Sequence, residues 1–248
     1  MRNERIDVLV VKQGLAESRE KAQALILAGK ILSGDRLFDK PGRRIPEDTP
    51  LRVRGETDPY VSRAARKLIG ALDAFKVELA GTVCLDVGAS TGGFTQVCLE
   101  RGASKVYAVD VGHNQLHWKI RNDARVVSLE GVNMRAPADD LLPEKASFVC
   151  IDTSFISLKL ILPSVKKFLS KRGEIVALIK PQHEVGREEV GKGGVVRDPA
   201  LHERATSGIA AFAQSIGFEV AGLVESSLVG TAGNKEFLIH LRWSASES

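Results

Sequence analysis

The stretch Asp86-Val87-Gly88-Ala89-Ser90-Thr91-Gly92-Gly93-Phe94 constrains this chain more than any other. An apolar run at 82–85 leads into it and ends on a carboxylate, three glycines follow, and 94–99 reads as the start of a helix. A strand, a tight Gly-rich turn and a helix start form the opening unit of an open α/β sheet, the unit that grips nucleotides. Glycine removes the Cβ that would keep backbone from a ligand, and the helix start offers unpaired N–H groups. Residues 105–110 form a second strand ending on Asp110, about 20 residues on, where an acid can hold ribose hydroxyls. A turn needed only for helix–sheet packing is the competing reading.

The spacing bears on which nucleotide is held. Dinucleotide folds want glycine at the first, third and sixth positions, the middle one to admit a pyrophosphate. Here those positions are Gly88, Ser90 and Gly93. A side chain at Ser90 argues against that approach, and Asp86 would repel phosphate but suit an ammonium. S-adenosylmethionine carries ribose, adenine and an ammonium without phosphate, so it fits better.

At 248 residues, the chain suggests one large domain or two modest ones. A net charge of +4 permits a local nucleic-acid patch without demanding one. Cys84, Cys98 and Cys150 lie in apolar runs without metal-like spacing, and read as reduced core residues of a cytoplasmic protein with no metal site. No apolar run approaches ~18 residues, and Met1-Arg2-Asn3-Glu4-Arg5 opens no signal peptide. No membrane partner is expected, and the composition leaves the oligomeric state open.

Residues 1–54 differ in character from the rest of the chain. A helix is expected over 5–12, and Ser18 looks like the N-cap of another reaching Ala28, with Gly29 as a stop. Short strand-like pieces at 30–32, 36–38 and 51–54 are separated by turns. Basic side chains are frequent but largely balanced by acids, so charge alone allows a plain solvated surface. The order Arg5-Ile6-Asp7, Ser18-Arg19-Glu20-Lys21-Ala22, Ala28-Gly29-Lys30-Ile31 and Gly34 resembles the S4-type RNA-binding domain. That resemblance implies RNA phosphates against Arg5, Arg19, Lys21, Lys30, Arg43 and Arg44. Residues 55–60 read as a linker, and 61–244 as a second domain.

In the second domain Ser62 can cap a helix through Leu72 or beyond, placing Arg63 and Lys67 one turn apart without a carboxylate. Further strands are expected over 125–130, 147–152, 174–180, 218–224 and 237–243, with helices over 158–170 and 199–215. Seven strands with crossover helices make a doubly wound sheet with ligands at the strands' carboxyl ends. Asp86, Asp110, Asp152 and Lys180 fall at that rim. A buried strand ending on lysine suggests either a salt bridge with Asp152 or a group that polarises a hydroxyl. Amine methylation usually calls for an Asn/Asp-Pro-Pro-aromatic loop after the fourth strand, and Asp152-Thr153-Ser154-Phe155 lacks both prolines. Carbon methylation of a pyrimidine needs a cysteine nucleophile, and Cys150 precedes the rim inside its strand. A hydroxyl acceptor is the better reading. The loop 191–197 is expected to be mobile, with Lys192 and Arg197 either meeting RNA or simply solvated.

Ser62-Arg63-Ala64-Ala65-Arg66-Lys67-Leu68, the turn at 86–94, Gln115-Leu116-His117-Trp118-Lys119, Lys180-Pro181-Gln182 and Gly233-Asn234-Lys235-Glu236 together resemble the TlyA-type family. Members, often labelled hemolysins, join an S4-type domain to an FtsJ-like methyltransferase. The resemblance implies a Rossmann-like, seven-stranded class I methyltransferase domain behind a small α+β RNA-binding domain. It also implies methyl transfer from S-adenosylmethionine to a ribose 2′-hydroxyl of cytidine in 16S or 23S rRNA, with ribosomal subunits as partners. The family's Lys-Asp-Lys-Glu tetrad falls on Lys67, Asp152, Lys180 and Glu236. An ordinary lysine, with a pKa of about 10.4, is a poor base at neutral pH, so Lys180 either is made more acidic or only polarises. The cofactor would lie against Asp86, Gly88, Ala89, Ser90, Thr91, Gly92, Gly93 and Phe94, with Asp110 and Val111 at its ribose and Asn133 at its adenine. Arg63 and Arg66 join the RNA-facing set. His183 and Ser227 depart from an aromatic and a proline common in the family. A membrane-active hemolysin and an inactive, RNA-binding ribosome assembly factor are the alternative functions.

Overall fold

A computed structural model describes residues 3–54, 59–230 and 233–245; residues 55–58 of the expected linker lie outside them. The chain divides into two compact units, Met1–Pro59 and Tyr60–Ser248.

The first unit runs β1 (Asn3–Arg5), α1 (Ile6–Lys12), α2 (Arg19–Leu27), β2 (Ile31–Ser33), β3 (Arg36–Phe38), β4 (Arg44–Pro46) and β5 (Arg52–Val53). Ser18 caps α2 by accepting the Lys21 amide at 3.2 Å, and Gly29 follows its end at φ 65°. The three-stranded sheet has the order β3-β2-β5, and β1 pairs antiparallel with β4. β1 and β4 carry charged residues rather than an apolar run and do not read as strands in the sequence, and Arg5, expected to open the first helix, ends β1 instead. Ile6, Leu9, Val10, Ala22, Ile26, Ile31, Phe38 and Ile45 fill the core. Asp7 is buried in the first turn of α1, with Arg5, Arg19 and Gln23 all donating to its carboxylate. The Arg5 guanidinium is the main reason its carboxyl is held well below the usual range.

The second unit runs α3 (Ala65–Phe75), β6 (Val83–Val87), α4 (Gly93–Glu100), β7 (Lys105–Asp110), α5 (Trp118–Arg121), β8 (Val126–Glu130), β9 (Ala146–Ile151), α6 (Leu158–Lys166), β10 (Leu169–Ile179), α7 (Pro181–Glu184), α8 (Pro199–Ser215), β11 (Glu219–Glu225) and β12 (Phe237–Ser244). Its seven-stranded sheet has the order β11-β12-β10-β9-β6-β7-β8. The five strands from β6 to β10 run parallel, and β12 is antiparallel to both its neighbours. Chain direction across the sheet reverses between β6 and β9, so ligands are expected at the carboxyl ends there.

Period-two alternation divides the core between the two faces. Leu85, Val87, Tyr107, Val109, Val149 and Ile151 pack with α6 and α8 residues such as Leu162 and Ile209. Cys84, Val106, Ala108, Phe148 and Cys150 pack with α3 and α4 residues such as Leu68, Leu72 and Val97.

Two boundaries differ from the sequence reading. The helix expected to reach Ser170 stops at Lys166, because Phe168 and Leu169 are buried and the Phe168 carbonyl accepts the Ala146 amide at 2.8 Å, starting β10 early. The helix expected from Ser62 starts at Ala65; the preceding residues form a turn in which the Ala65 amide donates to the Ser62 carbonyl at 3.1 Å. Arg63 therefore sits on that turn and not one helical turn above Lys67.

Candidate active site

The Gly-rich turn is clamped from both sides. The Gly88 and Ala89 amides donate to the Val109 carbonyl at 2.9 and 3.1 Å, and the Asp152 amide donates to the Val87 carbonyl at 3.0 Å. At Gly88, φ is +85° and a Cβ would stand 2.5 Å from the Asp152 carbonyl oxygen. Only glycine lets β6 turn this close to the end of β9. Ser90 also takes a positive φ, 47°, and its amide donates to Asp110 Oδ2 at 2.8 Å. At Gly92, the N-cap of α4, a Cβ would meet Leu116 at 2.8 Å and Ile120 of α5 at 3.1 Å, so α5 and the residues before it pack directly against the turn.

Two cavities open at this rim. The larger, about 450 Å³, is walled by Val111, Val132, Asn133, Met134 and Ile156, with the Asp110 carboxylate on one side. Asp110 Oδ1 accepts the Gly112 amide at 2.8 Å, so the carboxylate is fixed while lone pairs remain for a ligand. Asn133 Oδ1 accepts the Arg135 amide at 3.0 Å, which leaves its amide NH₂ for a ligand. The smaller cavity, about 340 Å³, is lined by Lys67, Lys180, Glu236 and the turn residues Ala89, Thr91, Gly93 and Phe94. Gly88, Ser90, Asp152 and Ser154 line both, so the cavities meet there.

All four tetrad residues line the smaller cavity, and Asp152 borders the larger one as well. Lys67, on α3, is 7% exposed and ion-paired with Glu236, which is 3% exposed just before β12. Lys180 follows the last residue of β10, and its Nζ lies 2.6 Å from Asp152 Oδ1 across neighbouring parallel strands. That contact is a charge pair without hydrogen-bond alignment, as Asp152 Oδ1 has no hydrogen-bond partner. The aligned bond from Lys180 Nζ goes to Ser154 Oγ, at 2.9 Å. The cation pair read from Arg63 and Lys67 is thus resolved differently: Lys67 has its carboxylate in Glu236, and Arg63 donates to the Val229 carbonyl at 2.8 Å. On the far side of Lys180, Glu184 of α7 accepts from the Ser157 hydroxyl and the Leu158 amide, fastening α7 to the start of α6.

Asp86 departs from its expected place beside the ligand. Its position on β6 turns it to the α4 side of the sheet, where it is 0% exposed and borders neither cavity. Thr95 donates to its Oδ2 at 2.6 Å, Oδ1 has no hydrogen-bond partner, and burial pushes its carboxyl up to about 7. Cys150 is fully buried within β9, and burial raises its thiol to about 12, which leaves it unsuited to nucleophilic attack.

Several residues given no role from the sequence also belong to the site. Ser154 was legible only as part of a loop without prolines. Phe155 is 93% exposed at φ 64°, with its ring 5.4 Å from that of His183. Burial, reinforced by Lys180, lowers the His183 imidazole below its ordinary value. Ser227 donates its hydroxyl to the Arg66 carbonyl at 3.5 Å, so the family's proline gives way here to a tether onto α3.

Among the RNA-facing candidates of the first unit, Arg5 and Arg19 are engaged by Asp7, and Lys21 pairs with Glu17. Among the described residues Lys30, Arg43 and Arg44 form no ion pair within 4 Å, though Arg44 acts on the Glu4 carboxylate from further off. Arg43 lies over the Phe38 ring at 5.5 Å, with Arg36 at 5.4 Å.

The sheet order, the glycine turn and the rim carboxylates define an α/β methyltransferase class. Residues 60–243 match the model of the FtsJ-like methyltransferase family, and residues 4–49 match that of the S4 domain. The chain is 45% identical over 242 residues to the 16S/23S rRNA (cytidine-2′-O)-methyltransferase TlyA of Mycobacterium tuberculosis, covering 97% of this chain and 90% of that protein. It is 40% identical over 237 residues to Hemolysin A of Brachyspira hyodysenteriae, covering 95% and 98%. A solved structure from Streptococcus thermophilus, described provisionally as a hemolysin, is 47% identical with a TM-score of 0.75, covering 99% of this chain and 90% of that one. The chain belongs to the FtsJ-like methyltransferase family, in the branch that carries an S4 domain and includes TlyA.

Proposed function

We propose that this protein transfers a methyl group from S-adenosylmethionine to the ribose 2′-hydroxyl of a cytidine in ribosomal RNA. The observation that carries this reading is the meeting of two cavities at Gly88, Ser90, Asp152 and Ser154, one bearing Asp110 and the other the two lysine–carboxylate pairs. The larger cavity suits the cofactor: a fixed carboxylate for ribose hydroxyls, an amide for adenine, apolar walls, and Gly88 and Ser90 of the glycine turn at its edge. S-adenosylmethionine would supply an electrophilic methyl, its S–C bond breaking as the ribose O–C bond forms, with the electron pair staying on sulfur and the hydroxyl proton leaving to solvent.

Lys180, held by Asp152 and Ser154 beside the join of the two cavities, polarises the acceptor hydroxyl, while Asp152 balances its charge. Lys67 and Glu236 form the opposite wall and hold the ribose. Both pairs are close to neutral overall, which suits a neutral hydroxyl acceptor. Alignment of oxygen with methyl carries much of the acceleration. The buried Cys150 and the proline-free loop after β9 argue against carbon and amine acceptors. Lys30, Arg43 and Arg44 are the cations best placed to hold RNA phosphates, and Arg36 joins them. A ribosomal substrate implies work in the cytoplasm.

Purified protein with labelled S-adenosylmethionine and unmodified ribosomal subunits should label RNA on cytidine ribose, and Lys180→Ala should lose at least ~100-fold in rate. An unchanged rate in that variant refutes the lysine's role. The hemolysin names of some relatives motivate a second reading, membrane lysis; no helix among the described residues is long and apolar enough to cross a membrane. Dye release from liposomes by the pure protein would revive it.

A further inference from the structure

Lys180 has one hydrogen bond of good geometry, and it is not to its tetrad partner. Asp152 Oδ1 approaches Nζ to 2.6 Å off the hydrogen-bond line, whereas Ser154 Oγ accepts from Nζ at 2.9 Å. From this geometry we infer that Ser154 is a positioning residue, whose hydroxyl directs the Lys180 amine toward the acceptor ribose. This rests on the methyl-transfer reading above and adds to it a residue outside the tetrad.

A tetrahedral nitrogen has three directions besides its carbon. Ser154 takes one, Asp152 lies close without standing along another, and Lys180 lines the same cavity as both. A carboxylate alone fixes a charge but leaves the amine free to rotate about the Cε–Nζ bond, and the hydroxyl removes that freedom. The hydroxyl also has a property no carboxylate shares: it accepts from an ammonium and can donate to a neutral amine. Lys180 therefore keeps this partner in either protonation state: as an ammonium it donates to Ser154, and as a neutral amine it either still donates or takes the hydroxyl proton's bond on its own lone pair, leaving an N–H for the cavity.

The other lysine lacks this arrangement. Lys67 Nζ donates to Glu236 and, among the described residues, to no hydroxyl. Ser154 is itself placed by the turn after β9, where Phe155 takes a positive φ of 64° and Ser157 begins α6. The other charged or titratable groups around Lys180, besides Asp152, are His183 on α7 and, lining the same cavity, Arg63, Lys67 and Glu236.

Four proteins test this: wild type, Lys180→Ala, Ser154→Ala and Ser154→Thr. Each is assayed for methyl transfer to both ribosomal subunits from about pH 6 to about pH 9, with cofactor affinity measured by calorimetry. Ser154→Ala should lower kcat about tenfold, the worth of one hydrogen bond, and shift the pH–rate profile, with KM for the subunits and cofactor affinity unchanged. Ser154→Thr restores the hydroxyl and should return kcat to within about threefold of wild type. If Lys180→Ala is inactive while Ser154→Ala keeps wild-type kcat and pH profile, the positioning role fails and the methyl-transfer reading stands. Equal losses in Ser154→Ala and Ser154→Thr overturn it too, because the hydroxyl then has no part. Full activity in Lys180→Ala brings down both.

Discussion

Asp86 shows how one side chain acquires properties its sequence context does not announce. As the last acid before the glycine turn it reads as a ligand contact, yet it lies on the covered face of β6 with one oxygen unpartnered. An unfolded aspartate ionises near about 3.9, whereas in the fold Asp86 holds its proton up to about 7. Between those values the native state binds more protons, so stability falls as pH rises through that window. The loss should be of the order of 2–4 kcal/mol, complete above about pH 7. Asp86→Asn cannot ionise, so its thermal unfolding curve should be flatter over the same range, and the two proteins should differ least in acid. Parallel stability–pH curves for wild type and Asp86→Asn refute this assignment.

At the scale of elements, the segment before β12 places two side chains with different partners. Glu236 meets Lys67 of α3, and Asn234 holds the loop over 191–196. Asn234 Oδ1 accepts the Val196 amide at 2.8 Å and its Nδ2 donates to the Gly194 carbonyl at 2.8 Å, while His202 of α8 meets the Val196 carbonyl at 2.9 Å. The loop read from its glycines as mobile is therefore tethered at its C-terminal half. Asn234→Ala leaves a buried amide and a carbonyl without partners, at a cost of about 1–3 kcal/mol. Hydrogen exchange should report it as faster exchange at Val196, with the amides of β9 still protected. Unaltered protection at Val196 would mean that Asn234 does not hold the loop.

For the whole molecule, the two units have separate cores. Alanine at Lys30, Arg43 or Arg44 should weaken RNA binding and lower the slope of log affinity against log salt by about 0.7–0.9 each, without altering cofactor binding. Alanine at Arg5 or Arg19 should instead lower the thermal stability of the first unit, because Asp7 loses a donor. Filter binding at several salt concentrations, beside a melting curve for each variant, separates the two classes. A full salt slope in the Arg43 and Arg44 variants would show that RNA docks elsewhere.

The local sequence alone was enough to define the strand–turn–helix unit, the order of the seven strands along the chain and the polar residues that end them. Each follows from short-range signals: apolar alternation, glycine at a turn, a charge at the end of a buried run. Asp152 and Lys180 were paired by the same logic, since a doubly wound sheet sets their strands side by side. The partnership of Lys67 with Glu236 was available only through family resemblance, for 169 residues separate them and no local pattern joins them. Tertiary structure decided what local signals could not carry. It turned Asp86 away from the cavity, committed Arg5 and Arg19 to Asp7, gave Lys180 its hydroxyl partner, and closed β1 on β4. Each outcome depends on which groups meet once the chain has closed and been desolvated. The glycine turn at 86–94 could be read as the grip of a cofactor site from its residues; that its far side faces a second cavity with two paired lysines is a property of the folded sheet.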